Sequence, residues 1–236
     1  MDYSVMAVRR RYLTMYLAIA STLLVMSGAR ADDLTAGQTI AMQGTAKGVA
    51  ACISCHGAKG EGNAAAGFPR LAGVSAPYLS AQLAAFADGT RQNPIMQPLA
   101  KLLSASERND VAQYFSGLQQ PSGINTSDNE SVKPSDVGAW IATRGRWSEG
   151  LPACVQCHGP GGIGVGATFP PLAGQPASYI ASQLHNWKSG TRPPGPMALM
   201  PAVASKLSDT EITAVAAYYG GGGAPAEGTS VNGSKQ

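Results

Sequence analysis

Cys52-Ile53-Ser54-Cys55-His56-Gly57 and, 102 residues further on, Cys154-Val155-Gln156-Cys157-His158-Gly159 decide the reading of this 236-residue chain. All four cysteines and two of the three histidines lie in these two hexapeptides. The likeness extends outward from them. Phe68-Pro69-Arg70-Leu71-Ala72-Gly73 recurs as Phe169-Pro170-Pro171-Leu172-Ala173-Gly174 at a shift of 101, and Tyr78, Gln82, Leu83 and Gly89-Thr90-Arg91 keep that shift in Tyr179, Gln183, Leu184 and Gly190-Thr191-Arg192. Leu103-Ser104 and Tyr114 then match Leu207-Ser208 and Tyr218 at a shift of 104, which places a three-residue insertion after Arg192. The chain is a tandem duplication, and the repeat has to be read before any fold is assigned.

Cys-x-x-Cys-His is the attachment pattern for c-type haem. Two thiols one helical turn apart can add to the two vinyl groups of one porphyrin, and the adjacent imidazole then meets the iron. Other uses of the same residues fit less well. A redox dithiol normally accompanies a βαβ pattern, which is absent, and neither redox work nor a disulfide requires histidine directly after both pairs. A single zinc site would have to draw its ligands from two separate repeats. The spacing therefore predicts two covalently attached haem c groups, held by Cys52 and Cys55 and by Cys154 and Cys157, with His56 and His158 on the irons.

The periodicity within each copy is helical. Leu79, Leu83 and Phe86 follow i, i+4, i+7, and Val111, Tyr114, Phe115 and Leu118 follow i, i+3, i+4, i+7. Ser104-Ala105-Ser106-Glu107 and Ser208-Asp209-Thr210-Glu211 are matching capping boxes that start the last helix of each copy. Short first helices are expected near Thr35–Gln43 and Ser135–Arg144, with Gly37 and Ile40 equivalent to Gly138 and Ile141. No stretch alternates long enough to make a strand, so the fold class is all-α. Repeats of this size with long Gly- and Pro-rich loops bury little apolar surface alone, and a large group inside each would complete the core.

Charge depends on location. Residues 1–31 read as a signal peptide: Arg9-Arg10-Arg11, an apolar stretch from Leu13 to Met26, and Ala29-Arg30-Ala31 as a cleavage triplet. The apolar stretch is short for a membrane span, although retention as an anchor stays open. Arg9-Arg10-Arg11-Tyr12-Leu13 also faintly matches a twin-arginine signal, but thioether formation outside the cytoplasm favours export of the unfolded chain. The net charge of +3 resides in this segment: four of the 17 Lys and Arg and one of the 14 Asp and Glu lie there, leaving 13 of each. Nucleic acid is excluded as a partner on this composition. The divisions expected are 1–31 signal peptide, 32–118 first domain, 119–134 polar linker, 135–219 second domain and 220–236 flexible, Gly-rich tail.

Two CxxCHG units, each followed by F-P-x-L-A-G or its Pro-Pro variant, Tyr–Gln-Leu, G-T-R and a Met–Leu-Ser–Tyr segment, resemble the dihaem cytochrome c4 family over about residues 34–219. The resemblance implies two tandem cytochrome c-type helical domains, each wrapped around its haem. It also implies a periplasmic electron carrier, often at the membrane surface, that passes electrons toward terminal oxidases.

The sixth iron ligands follow from the inventory and the resemblance together. Three histidines cannot make two bis-histidine haems, and no cysteine is spare. Met96 sits in the Pro-rich loop where the family places its ligand. In the second copy, counting from Thr191-Arg192 aligns Met197, and counting back from Leu207-Ser208 aligns Met200. Met200 is preferred because the distance to the last helix is kept, and Met197 stays open. Met42 is expected in core packing and His185 on the surface. The resemblance also suggests the Pro69 and Pro170 carbonyls as partners of the histidine Nδ1–H groups. Arg91 and Arg192 are read either as partners of haem propionates or as exposed arginines.

Histidine–methionine ligation raises a haem potential and leaves no open axial position. The chain is therefore expected to be an electron carrier rather than an enzyme. Its partners would be redox proteins, with membrane-associated respiratory complexes among them by resemblance, a quinol-oxidising complex or dehydrogenase as donor and a terminal oxidase as acceptor. The alternative is a dedicated haem subunit of a periplasmic oxidoreductase such as a thiosulfate, alcohol or sulfide dehydrogenase.

Overall fold

The computed structural model describes residues 28–119 and 132–222, and these form two helical units that repeat each other's plan. The body of the expected signal peptide, most of the linker and the end of the tail lie outside the described residues. No strand occurs among the described residues, only isolated bridges such as Asn63 with Phe68 and Val165 with Phe169.

The first unit contains α1 (Gly28–Gln43), α2 (Ile53–His56), α3 (Ala76–Asp88), α4 (Met96–Leu102) and α5 (Ala105–Ser116). The second contains α6 (Val137–Thr143), α7 (Val155–His158), α8 (Ala177–Lys188), α9 (Leu199–Ala204) and α10 (Asp209–Ala217), with short 3-10 turns between them. Helix α1 is already helical at Gly28, the first described residue, well before the expected Thr35. Ala29 to Ala36 contains no glycine or proline to stop it, so the helix runs back through the residues expected at the cleavage site. Gly220, expected to open the tail, still lies on the second unit: a Cβ there would come within 2.9 Å of Ala177.

The first and last helices of each unit pack together, α1 on α5 and α6 on α10. Glycine makes the approach possible. A Cβ at Gly37 would sit 2.0 Å from the Asp110 carbonyl oxygen, and one at Gly138 would sit 2.3 Å from that of Ala214. Both last helices begin with the expected capping boxes. The Glu107 backbone N–H donates to Ser104 Oγ at 3.2 Å while Ser104 N–H donates to Glu107 Oε2 at 2.6 Å, and the second box has the corresponding distances of 3.2 and 2.8 Å. Lys47, then the Ser104 groups, hold the Glu107 carboxyl down to about 2.

Each unit has its own core. Ile40, Leu79, Leu103, Val111 and Phe115 pack in the first, and Ile141, Leu184, Leu207, Ile212 and Tyr219 in the second. Met42 is not part of this packing: it is 48% exposed on α1, against the expectation of a core role. Its sulfur accepts a contact from Gln38 Nε2, one turn earlier on the same helix.

Candidate functional site

Each CxxCH forms a single helical turn. Cys52 precedes α2 and Cys154 precedes α7, and the His56 and His158 N–H groups close the turn onto the Cys52 and Cys154 carbonyls at 3.0 and 2.9 Å. One turn thus carries both thiols and the imidazole of each copy. Cys52 and Cys154 lean on the cores of their units, and burial pushes their thiols up to about 11 and about 12. Such thiols stay protonated, unlike the exposed, acidic thiol of a redox centre.

Both histidines are buried. His56 Nδ1–H donates to the Pro69 carbonyl oxygen at 2.8 Å, and His158 Nδ1–H donates to that of Pro170 at 2.7 Å. The proline carbonyls suggested by the resemblance are therefore in place. Burial lowers both imidazole pKa values against the opposing pull of these carbonyls. A neutral ring with its proton on Nδ1 presents the Nε2 lone pair for a metal. Phe68 and Phe169 stand beside the rings, with centroids 6.0 and 6.1 Å away. The loop behind each histidine turns at a glycine for lack of space: at Gly60 a Cβ would meet the Phe115 ring at 2.9 Å, and at Gly162 the Tyr219 ring at 2.5 Å.

Met96 opens α4, half-buried, with its N–H donating to Asn93 Oδ1 at 2.8 Å. Met200 stands near the start of α9, half-buried against the second core. The two short helices share a register: Ala100 and Ala204 are both fully buried, and Leu103 and Leu207 close behind them are buried as well. That register pairs Met96 with Met200. Met197 lies outside it, 78% exposed on a left-handed backbone with φ of 58°. His185 is half-exposed on α8, with Nδ1 3.8 Å from Asp209.

The arginines of the repeated G-T-R segments are buried, which overturns the reading of them as exposed. They join the two units. Arg91 Nη1 donates to Gln82 at 2.7 Å in its own unit, while its Nη2 reaches Gln183 at 2.6 Å and Tyr179 at 3.1 Å in the other. Arg192 reciprocates, to Gln183 at 3.0 Å at home and to Tyr78 at 2.7 Å and Gln82 at 3.3 Å across the interface. Each guanidinium also stacks on an aromatic ring of its own unit, Phe86 at 4.5 Å and Trp187 at 3.9 Å. A third arginine breaks the symmetry. Arg70 is 2% exposed, its Nη2 donates to the Ala173 carbonyl of the second unit at 2.9 Å, and its Nη1 donates to the Ala72 carbonyl.

Residues 34–119 match the cytochrome c family model, and residues 144–218 match that of the cytochrome c oxidase, cbb3-type, subunit III. The chain is 37% identical over 193 residues to cytochrome c4 of Pseudomonas aeruginosa, covering 81% of this chain and 89% of that one. The chain belongs to the dihaem cytochrome c4 family. It is also 48% identical over 202 residues to the thiosulfate dehydrogenase electron acceptor of Stutzerimonas stutzeri, covering 85% of this chain and 91% of that one. Among solved structures it is similar to reduced recombinant cytochrome c4 from Pseudomonas stutzeri, with a TM-score of 0.65, 31% identity and coverage of 79% and 96%. It is likewise similar to the thiosulfate dehydrogenase TsdBA from Marichromatium purpuratum, with a TM-score of 0.72 and 45% identity over 79% of this chain. The cytochrome spans 40% of the TsdBA chain.

This cytochrome carries two covalently bound haem c groups and is a dihaem electron-transfer protein. Its interior fits them. Arg70, Arg91 and Arg192 are buried, yet none forms an ion pair among the described residues. Arg70 Nε has no partner, and burial pulls that guanidinium down to about 10. Three buried cations without carboxylates are costly unless an anion joins them, and haem propionates are such anions. Sequence reasoning missed Arg70 and its partner Gln175. The signal available was the Arg70/Pro171 difference inside the otherwise repeated 68–73 and 169–174 stretches, with Val74/Gln175 differing at the next position.

Proposed function

We propose that Cys52 and Cys55 hold one haem and Cys154 and Cys157 the other, each thiol S–H adding across a porphyrin vinyl C=C to leave a thioether. His56 and Met96 would hold the first iron, and His158 and Met200 the second. When bound, the haems supply one-electron Fe(III)/Fe(II) chemistry. The protein's part is to hold that chemistry steady. The Pro69 and Pro170 carbonyls fix the two imidazole rings and raise their basicity. Met96 and Met200 would each give an iron a thioether sulfur, a donor that raises a haem potential and leaves the protein to supply both of that iron's remaining ligands. The chain on this reading is no catalyst itself. It works in the periplasm after loss of residues 1–31, whose basic, apolar and Ala-x-Ala regions support export.

The donor we favour is a thiosulfate dehydrogenase. The observation that carries this is the 48% and 47% identity to two proteins named thiosulfate dehydrogenase electron acceptor, above the 37% to the cytochrome c4 of P. aeruginosa. The 45% identity to TsdBA, whose chain is more than twice the length matched, supports the same reading. Electrons would then leave toward a respiratory oxidase, which is the shuttle role of the wider family. The test is stopped-flow spectroscopy of the oxidised protein mixed with a purified thiosulfate dehydrogenase. Thiosulfate is expected to reduce both haems at enzyme concentrations far below that of the cytochrome. Reduction no faster than in the absence of the enzyme would overturn this assignment.

A further inference from the structure

The peptide unit between Pro69 and Arg70 is engaged at both ends. Its carbonyl oxygen accepts the His56 Nδ1–H at 2.8 Å. Its N–H, which belongs to Arg70, donates to Gln175 Oε1 of the second unit at 3.0 Å. Gln175 is 5% exposed, and its Nε2 donates back to the Arg70 carbonyl at 2.8 Å, which fixes which end of the amide faces the N–H. A continuous chain of hydrogen bonds therefore runs from the His56 ring through one amide bond to a side chain of the other domain.

The repeat supplies the comparison. In the second unit the His158 Nδ1–H donates to the Pro170 carbonyl, but that carbonyl shares its peptide unit with Pro171, which has no N–H. The position of Gln175 is taken in the first unit by Val74, which has no acceptor to offer. The chain of hydrogen bonds exists for the first domain and stops at the ring's own carbonyl in the second.

We propose that Gln175 is a positioning residue for the first haem: by accepting the Arg70 N–H it polarises the Pro69 carbonyl, and so the second domain tunes the proximal ligand of the first with no reciprocal path. Hydrogen bonds linked through one amide strengthen each other. A better acceptor at Pro69 draws the Nδ1 proton away from His56, makes the ring a stronger donor and favours the ferric state, lowering the first potential. The inference rests on His56 being an iron ligand.

The test is Gln175→Leu in the holoprotein, with the potential of each haem assigned by NMR during a redox titration. The reduction equilibrium constant of the first haem is expected to rise about threefold, which is about 28 mV for a one-electron couple. The second is expected to stay in place. In the reduced, diamagnetic protein the His56 Nδ1–H resonance is expected to move upfield, and that of His158 is not. Equal movement of both potentials, no movement, or a shifted first potential with the His56 resonance unmoved would each reduce Gln175 to a docking contact and overturn the proposal. Should Gln175→Leu fail to assemble, Arg70→Pro removes the N–H itself and reproduces the Pro-Pro pair that the second domain already accommodates. It is read by the His56 resonance alone, because loss of the guanidinium charge also moves the potential. An unmoved resonance there overturns the relay. A wild-type haem count below two would instead overturn the reading of the site on which it rests.

Discussion

Met197 and Met200 show how three inserted residues are absorbed at the level of single side chains. The insertion after Arg192 falls between a buried arginine and the buried Ala204, both held in register with the first copy. The surplus chain is put outside, where Met197 and Ala198 adopt left-handed backbone at φ of 58° and 53°. A non-glycine residue pays for that conformation, so it survives where the flanking register is fixed. Met200 keeps the place that Met96 has in the first copy. Met200→Ala is accordingly expected to abolish about half of the methionine–iron absorption band of the oxidised protein, and Met197→Ala to leave it whole. The reverse pattern would move the sixth ligand to Met197. Counting from the capping box, rather than from the arginine, found the register in the sequence because the last helix is packed and the inserted loop is not.

At the scale of elements, the helices legible in the sequence were those with a stop or start written in side chains. The capping boxes at Ser104 and Ser208 start α5 and α10 where Glu107 and Glu211 fold back onto the serine N–H. That α1 extends back beyond Thr35 was not read from the sequence, although nothing between Ala29 and Ala36 breaks a helix. Gly37 and Gly138 were visible as a repeated pair, but their reason is tertiary: each lets two helices approach closer than any side chain allows. Gly138→Ala tests this. Alanine favours an isolated helix by about 1 kcal/mol over glycine, whereas a Cβ would sit 2.3 Å from the Ala214 carbonyl oxygen, a backbone atom that cannot swing aside. Overpacking should win, with a net loss of about 1–2 kcal/mol. A lower denaturation midpoint at unchanged slope would show it, and an unchanged or higher midpoint would refute the packing argument.

At the scale of the whole molecule, composition gave a net charge of +3 that belongs to the first 31 residues, and it hid the charges that matter. In the sequence Arg91 and Arg192 read equally as propionate partners or as exposed residues, and only when the two units are brought face to face is each seen to cross to the tyrosine and glutamine of the other. No helical period marks an interface between repeats, so only the coincidence of Tyr78, Gln82 and Arg91 with Tyr179, Gln183 and Arg192 was visible. The cost of burying three guanidiniums makes sense if two haems bring their propionates to the same region, and two differently supported histidines then imply two unequal potentials. The measurement closest to this account is a potentiometric titration of the intact protein, followed optically and paired with a haem count. Two haems per chain, two separable one-electron transitions and a methionine–iron band in the oxidised state are predicted. A single one-electron transition belonging to one haem per chain would contradict it.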